Sequence, residues 1–153
     1  MRCDTIRRAG ALVAAVVLTT ASLFAQTLAG SATSLPPAVR KAFELAYPGA
    51  TISGVTGQRE NNRSLFRVDS LDKGRRRVVV YDGIAAVVEV AEQVEEKELP
   101  RPVADAMHSH PRAIYVTGMR VTRGARVEYR LTLRGTRKTA MVVQPDGTVL
   151  SFK

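Results

Sequence analysis

Two stretches of this chain share one pattern of apolar positions. In LPPAVRKAFELAYPGA, Leu35 to Ala50, the residues Val39, Ala42, Phe43 and Ala46 recur at helical spacing, while Arg40, Lys41 and Glu44 fall elsewhere. Ser34 stands at a capping position. Pro36 and Pro37 suit a first turn, whose N–H groups have no helical partner, and Pro48-Gly49 ends the run. In LPRPVADAMHSHPRAI, Leu99 to Ile114, a matching stripe is formed by Val103, Ala106 and Met107, and Pro111 ends it. The spacing predicts a helix in each stretch, with its stripe turned to a core.

The segments that follow change to a period of two. Thr51 to Gln58 is short and partly β-branched. From Ser64 to Leu71, Leu65, Arg67 and Asp69 alternate with Phe66, Val68 and Ser70. Val127, Tyr129, Leu131 and Leu133 alternate with Glu128, Arg130, Thr132 and Arg134, the mark of a half-buried strand. Arg77–Tyr81 and Ile84–Val90 flank Asp82-Gly83, a pair able to take positive φ at both positions of a tight hairpin. Lys138–Gln144 and Thr148–Phe152 flank Pro145-Asp146-Gly147 in the same way. Lys73-Gly74 and Arg134-Gly135-Thr136 read as turns between middle strands.

Aligning Leu35-Pro36 with Leu99-Pro100 brings Val39 onto Val103, Ala42 onto Ala106 and Phe43 onto Met107. One deletion then brings Pro48 onto Pro111. Phe66-Arg67-Val68 meets Tyr129-Arg130-Leu131, and Asp82-Gly83 meets Asp146-Gly147. This is an internal duplication. The expected architecture is α+β: two tandem helix-plus-four-strand antiparallel units, residues 33–95 and 96–153. They would form one continuous sheet with both helices on one face. The acidic stretch Glu89–Glu98 would join them, part of it continuing the last strand of the first unit, with Glu92, Glu95, Glu96 and Glu98 on a solvated edge.

Composition adds a leader. Arg2, Arg7 and Arg8 precede an almost wholly apolar or small run, Ala9–Ala25. Ala25, Ala29 and Ala32 are small residues suited to cleavage. Residues 1–32 therefore read as a secretory signal peptide. The run of about 17 residues lies at the lower edge of what spans a bilayer, so an uncleaved anchor is the alternative. The single cysteine, Cys3, would leave with the leader, so the exported fold must hold without a disulfide. Setting aside Arg2, Arg7, Arg8 and Asp4 from 23 basic and 14 acidic side chains leaves 20 and 13, a net +7. Such a balance favours anionic partners.

The phrase formed by Leu35-Pro36, Ala38-Val39, Ala42-Phe43 and Ala46-Tyr47-Pro48-Gly49-Ala50, followed by Val80-Tyr81-Asp82-Gly83, resembles the PepSY-like family of secreted bacterial proteins. It is also similar to the fold of β-lactamase inhibitory protein, in which a helix-plus-four-strand unit occurs in tandem. The resemblance covers nearly all of the chain beyond the leader. The second copy departs from it: Tyr47-Pro48-Gly49 becomes His110-Pro111-Arg112, and Tyr81-Asp82 becomes Gln144-Pro145-Asp146. The resemblance implies a periplasmic or secreted binding module, with inhibition of a peptidase or other exported enzyme as one activity. It brings no catalytic residues.

The residues themselves form no catalytic constellation. His108 and His110 are two apart at a helix end, so their rings diverge instead of converging on a metal, and a zinc site needs three or four ligands. No serine sits in a nucleophile elbow, and Asp82 and Asp146 belong to turns. No enzyme activity, metal or cofactor is expected. The basic residues carry the functional signal. Arg67, Arg130 and Arg134 should point from the sheet face opposite the helices. Arg75-Arg76-Arg77 and Arg137-Lys138 begin corresponding strands. Arg67, Arg77, Arg130, Arg134 and Arg137 form the candidate binding face. Its partner would be an exported protein; the alternative is an envelope protein holding an anionic membrane or wall polymer. Nucleic acid fits poorly, because stacking aromatics are sparse.

Overall fold

The structure is a computed structural model that describes residues 35–110, 113–135 and 138–153. The leader, Ser34, Pro111 and Arg137 lie outside the described residues. In chain order the elements are α1 (Pro37–Ala46), β1 (Thr51–Glu60), β2 (Arg63–Asp72), β3 (Arg75–Asp82), β4 (Val87–Val94), a 3₁₀ turn (Glu96–Glu98), α2 (Arg101–His108), β5 (Ile114–Arg123), β6 (Arg126–Arg134), β7 (Lys138–Val143) and β8 (Val149–Phe152). Among the described residues no helix is long and apolar enough to cross a membrane.

The expectation of two tandem helix-plus-four-strand units is corrected by the sheet. All eight strands form one antiparallel sheet in the order β1-β2-β3-β4-β5-β6-β7-β8, and the described residues are mostly sheet with two short α-helices. The pairing does not break at the centre. β4 and β5 are in register from Val90 opposite Thr122 to Val94 opposite Gly118. A buried cluster of Val78, Ala91 and Val121 straddles β3, β4 and β5. The physical reason is the strand Val87–Val94. It takes in most of the acidic stretch and buries Ala91, so what reads as a linker is a central strand of one body.

Each helix opens on prolines, whose missing N–H costs nothing in a first turn; Pro36 and Pro100 hold the cap positions. Val39 and Phe43 of α1 bury against Val68, Val79 and Tyr81. Val103 and Met107 of α2 bury against Leu131, Leu133, Met141 and Val143. Val79 faces Val90, Val90 faces Thr122, and Thr122 faces Val127, so by strand alternation both clusters lie on one side of the sheet. Tyr81 is fully buried, and its hydroxyl has no hydrogen-bonding partner among the described residues. Burial, with the Tyr47 phenol nearby, pushes its pKa up to about 12.

The turns depart from expectation at one point. Lys73 and Gly74 both take positive φ, 50° and 80°, as a two-residue hairpin requires. At Asp82-Gly83 the positive φ belongs to neither residue but to Ala85, at 64°, and the turn runs from Asp82 to Ala86. The β7–β8 turn places its positive φ at Gly147, 91°.

Candidate functional site

Among the described residues no helix covers the sheet face away from α1 and α2, yet its centre is apolar and buried. Val78 on β3, Ala91 on β4 and Val121 on β5 are only 3%, 7% and 1% exposed, and Met119 packs beside them. Long polar side chains shelter them. Arg67, Arg76, Glu89 and Arg130 wall a hollow of about 140 Å³ whose floor is this cluster. Strand alternation places Arg67 and Asp69 on the same side of β2, opposite Val80 and Val78. It places Glu128 and Arg130 on that side of β6, opposite Val121 and Met119.

The walls are ion-paired. Arg67 grips Asp69 with two donors, Nε at 2.9 Å and Nη2 at 3.2 Å, and Arg76 Nη2 donates to the same carboxylate at 2.9 Å. The Arg67 hydrogen bond holds the Asp69 carboxyl below the usual range; burial opposes it and Arg76 adds to it. Across the hollow, Arg130 Nε donates to Glu128 at 2.8 Å, and Arg123 Nε donates to Glu89 at 2.6 Å. Arg123 also lies 3.6 Å from Glu128. Four arginines thus face three carboxylates, leaving this part of the face close to neutral. It is a mosaic of charge pairs around an apolar floor, not a broad cationic sheet.

The five arginines named from sequence separate. Arg67 and Arg130 stand on the open face, each with a carboxylate. Arg134 lies at the exposed end of β6 opposite Lys138 and has no carboxylate partner among the described residues. Arg137 falls outside the described residues. Arg77 is on the helix side. Its neighbour in register is Ser70, which shares a face with Val68, and its guanidinium lies 4.3 Å from the centre of the Tyr47 ring. It donates to Glu92 at 3.1 Å and Asp72 at 3.2 Å. Sequence reasoning missed the floor itself. Val78 and Ala91 lie on the same strand faces as polar residues, and only the inter-strand register joins them to Met119 and Val121. The histidines have packing contacts: His110 stacks on Phe152 with centroids 4.2 Å apart, and His108 Nε2 lies 3.2 Å from Glu96.

Comparison with solved structures shows the fold. A DUF2874 family protein from Bacteroides uniformis is 19% identical with a TM-score of 0.63, covering 78% of this chain and 88% of that one. A protein from Bacteroides eggerthii, provisionally described as periplasmic, is 18% identical with a TM-score of 0.65, covering 81% and 89%. A BLIP-like protein from Bacteroides fragilis is 20% identical with a TM-score of 0.59, covering 79% and 88%. The fold of this chain is BLIP-like. No family model matches the chain, and no curated protein matches it.

Proposed function

We propose that this chain is an exported, non-catalytic, PepSY-like binding module that docks a folded protein on the open face of its sheet, with an exported enzyme as the class of partner it would regulate or inhibit. One observation carries the reading: a hollow of about 140 Å³ floored by Val78, Ala91, Met119 and Val121 and walled by charged side chains. An apolar centre inside a polar rim is the anatomy of protein interfaces, where a central pocket receives an anchoring side chain. The near balance of charge favours a protein over an anionic polymer, because arginines already held by carboxylates release little from a polyanion's counterion cloud. The leader pattern at residues 1–32 and the Bacteroides eggerthii fold relative support export.

Affinity capture from the exported-protein fraction, at low and at moderate salt, tests the reading. It predicts one stoichiometric partner retained at moderate salt and lost with Met119→Glu, which places a charge in the hollow. Diffuse material that leaves with salt would favour the anionic-polymer alternative. Unchanged capture by Met119→Glu would exclude the open face as the docking surface.

A further inference from the structure

Two Asp-Gly turns occupy corresponding places, after β3 and after β7, and they are used differently. Gly147 is pressed against α2. A Cβ built on it would lie 2.8 Å from the Pro102 carbonyl oxygen and 3.1 Å from Pro102 Cβ. Gly83 stands clear, its nearest neighbours being Ser64 atoms 3.9 Å away. The β7–β8 turn thus meets α2 through Gly147, whereas the β3–β4 turn rests on the α1 core through Ala85 and leaves Gly83 and Ile84 clear.

Hydrogen bonds hold the β3–β4 turn tightly as well. Asp82 Oδ1 accepts the N–H of Ile84 at 3.0 Å and that of Ala86 at 2.8 Å. The Asp82 N–H donates to the Ala86 carbonyl at 2.9 Å, and the Ala85 N–H donates to the Asp82 carbonyl at 3.1 Å. Ala85 is kept at φ 64°, in the left-handed region that a residue with a Cβ seldom takes. The product of this clamp is Ile84, which is 85% exposed, the highest value among the large exposed hydrophobic residues. A β-branched side chain loses little entropy when a partner fixes it, and a rigid turn loses little backbone freedom.

The surroundings specify what would receive it. Ile84 and Arg63 border one hollow of about 290 Å³ together with Asp82. Arg63 also borders a second, with Leu65, Val88 and Glu60. Val87 and Val88 are 54% and 40% exposed. Unlike Arg67, Arg76, Arg123 and Arg130, Arg63 has no carboxylate within ion-pair distance among the described residues. An apolar tip therefore stands beside an uncompensated guanidinium.

We propose that the β3–β4 turn is a preformed plug: Ile84 enters an apolar cleft of a folded protein partner, and Arg63 meets a carboxylate on the rim of that cleft. The proposal rests on the binding-module reading and adds the second half of its contact surface.

Photo-crosslinking tests it. p-Benzoylphenylalanine is placed at position 84 in the full chain expressed in its own host, and at position 45 as a control, because Leu45 is 74% exposed on α1. The proposal predicts one protein adduct from position 84 and none of the same mass from position 45. With that partner purified, Ile84→Ser should weaken binding about 30-fold or more, the loss characteristic of an anchoring residue. Arg63→Glu should weaken it about 10-fold, less so at high salt. No adduct from position 84, the same adduct from both positions, or wild-type affinity in Ile84→Ser would each overturn the plug. Met119→Glu separates the two ideas. Loss of binding there with normal binding by Ile84→Ser leaves the open face and removes the plug; the reverse leaves the plug and removes the open face.

Discussion

The Arg77 guanidinium lies 4.3 Å from the centre of the Tyr47 ring, tying the end of α1 to the middle of the sheet. Its side chain is 18% exposed and has carboxylates on two sides, Glu92 and Asp72. Replacing it leaves Asp72 part-buried without its cation and leaves Glu92 with Arg120 alone. Arg77→Ala should destabilise the fold by about 2 kcal/mol. Arg134→Ala, at an exposed strand end, should change stability by less than about 0.5 kcal/mol. Urea denaturation of both variants checks the contrast.

Glu92 sits between two guanidinia, accepting from Arg77 at 3.1 Å and from Arg120 at 2.5 Å. Burial works to raise its pKa, but Arg120 and Arg77 outweigh it and hold the carboxyl below its ordinary 4.5. A depressed folded-state value contributes stability that is complete above 4.5 and disappears as pH falls from there through the folded value. Glu92→Gln should therefore be less stable than wild type at pH 7, with the difference shrinking on acidification. Melting temperatures of the pair between pH 7 and pH 3 read this directly; a constant difference would contradict it.

Gly147→Ala should cost about 2 kcal/mol or more, because a Cβ meets the Pro102 carbonyl and φ is 91°. Gly83→Ala should be close to neutral, since its Cβ would find only ordinary contacts. Thermal melts of the two variants test whether Gly147 is packed and Gly83 clear.

Tyr81→Phe removes a buried hydroxyl that has no hydrogen-bonding partner among the described residues while keeping the ring in the α1 core. The substitution should stabilise the protein by about 1 kcal/mol, the cost of leaving such a group unsatisfied. A destabilised variant in chemical denaturation would show that the hydroxyl is satisfied in solution.

Local patterning located the elements well, and long-range register escaped it. The apolar stripe of Val39 and Phe43 identifies α1. Alternation through Tyr129, Leu131 and Leu133 identifies β6 and its buried side, because both signals depend on near neighbours in the chain. A continuous sheet was expected; that it belongs to one body and not to two tandem units was hidden in Glu89–Val94. Glu92 suggested a solvated edge, yet it is held by Arg77 and Arg120 from neighbouring strands. Arg77 was placed with the open-face arginines by charge alone, and strand alternation puts it on the other side. The floor of Val78, Ala91, Met119 and Val121 draws on three strands, so no single window of sequence contains it. The turn after Asp82 also differed: its carboxylate binds the N–H groups of Ile84 and Ala86, which moves the left-handed residue to Ala85.

The central claim is that partner proteins dock on the open sheet face. Methionine methyl NMR tests it most directly, because Met119 lines that face while Met107 of α2 and Met141 of β7 are buried in the core between helix and sheet. On addition of the captured partner, the Met119 methyl resonance should shift or broaden in a saturable way while those of Met107 and Met141 stay in place. An unmoved Met119 resonance, with binding established by mass or heat, would contradict the account.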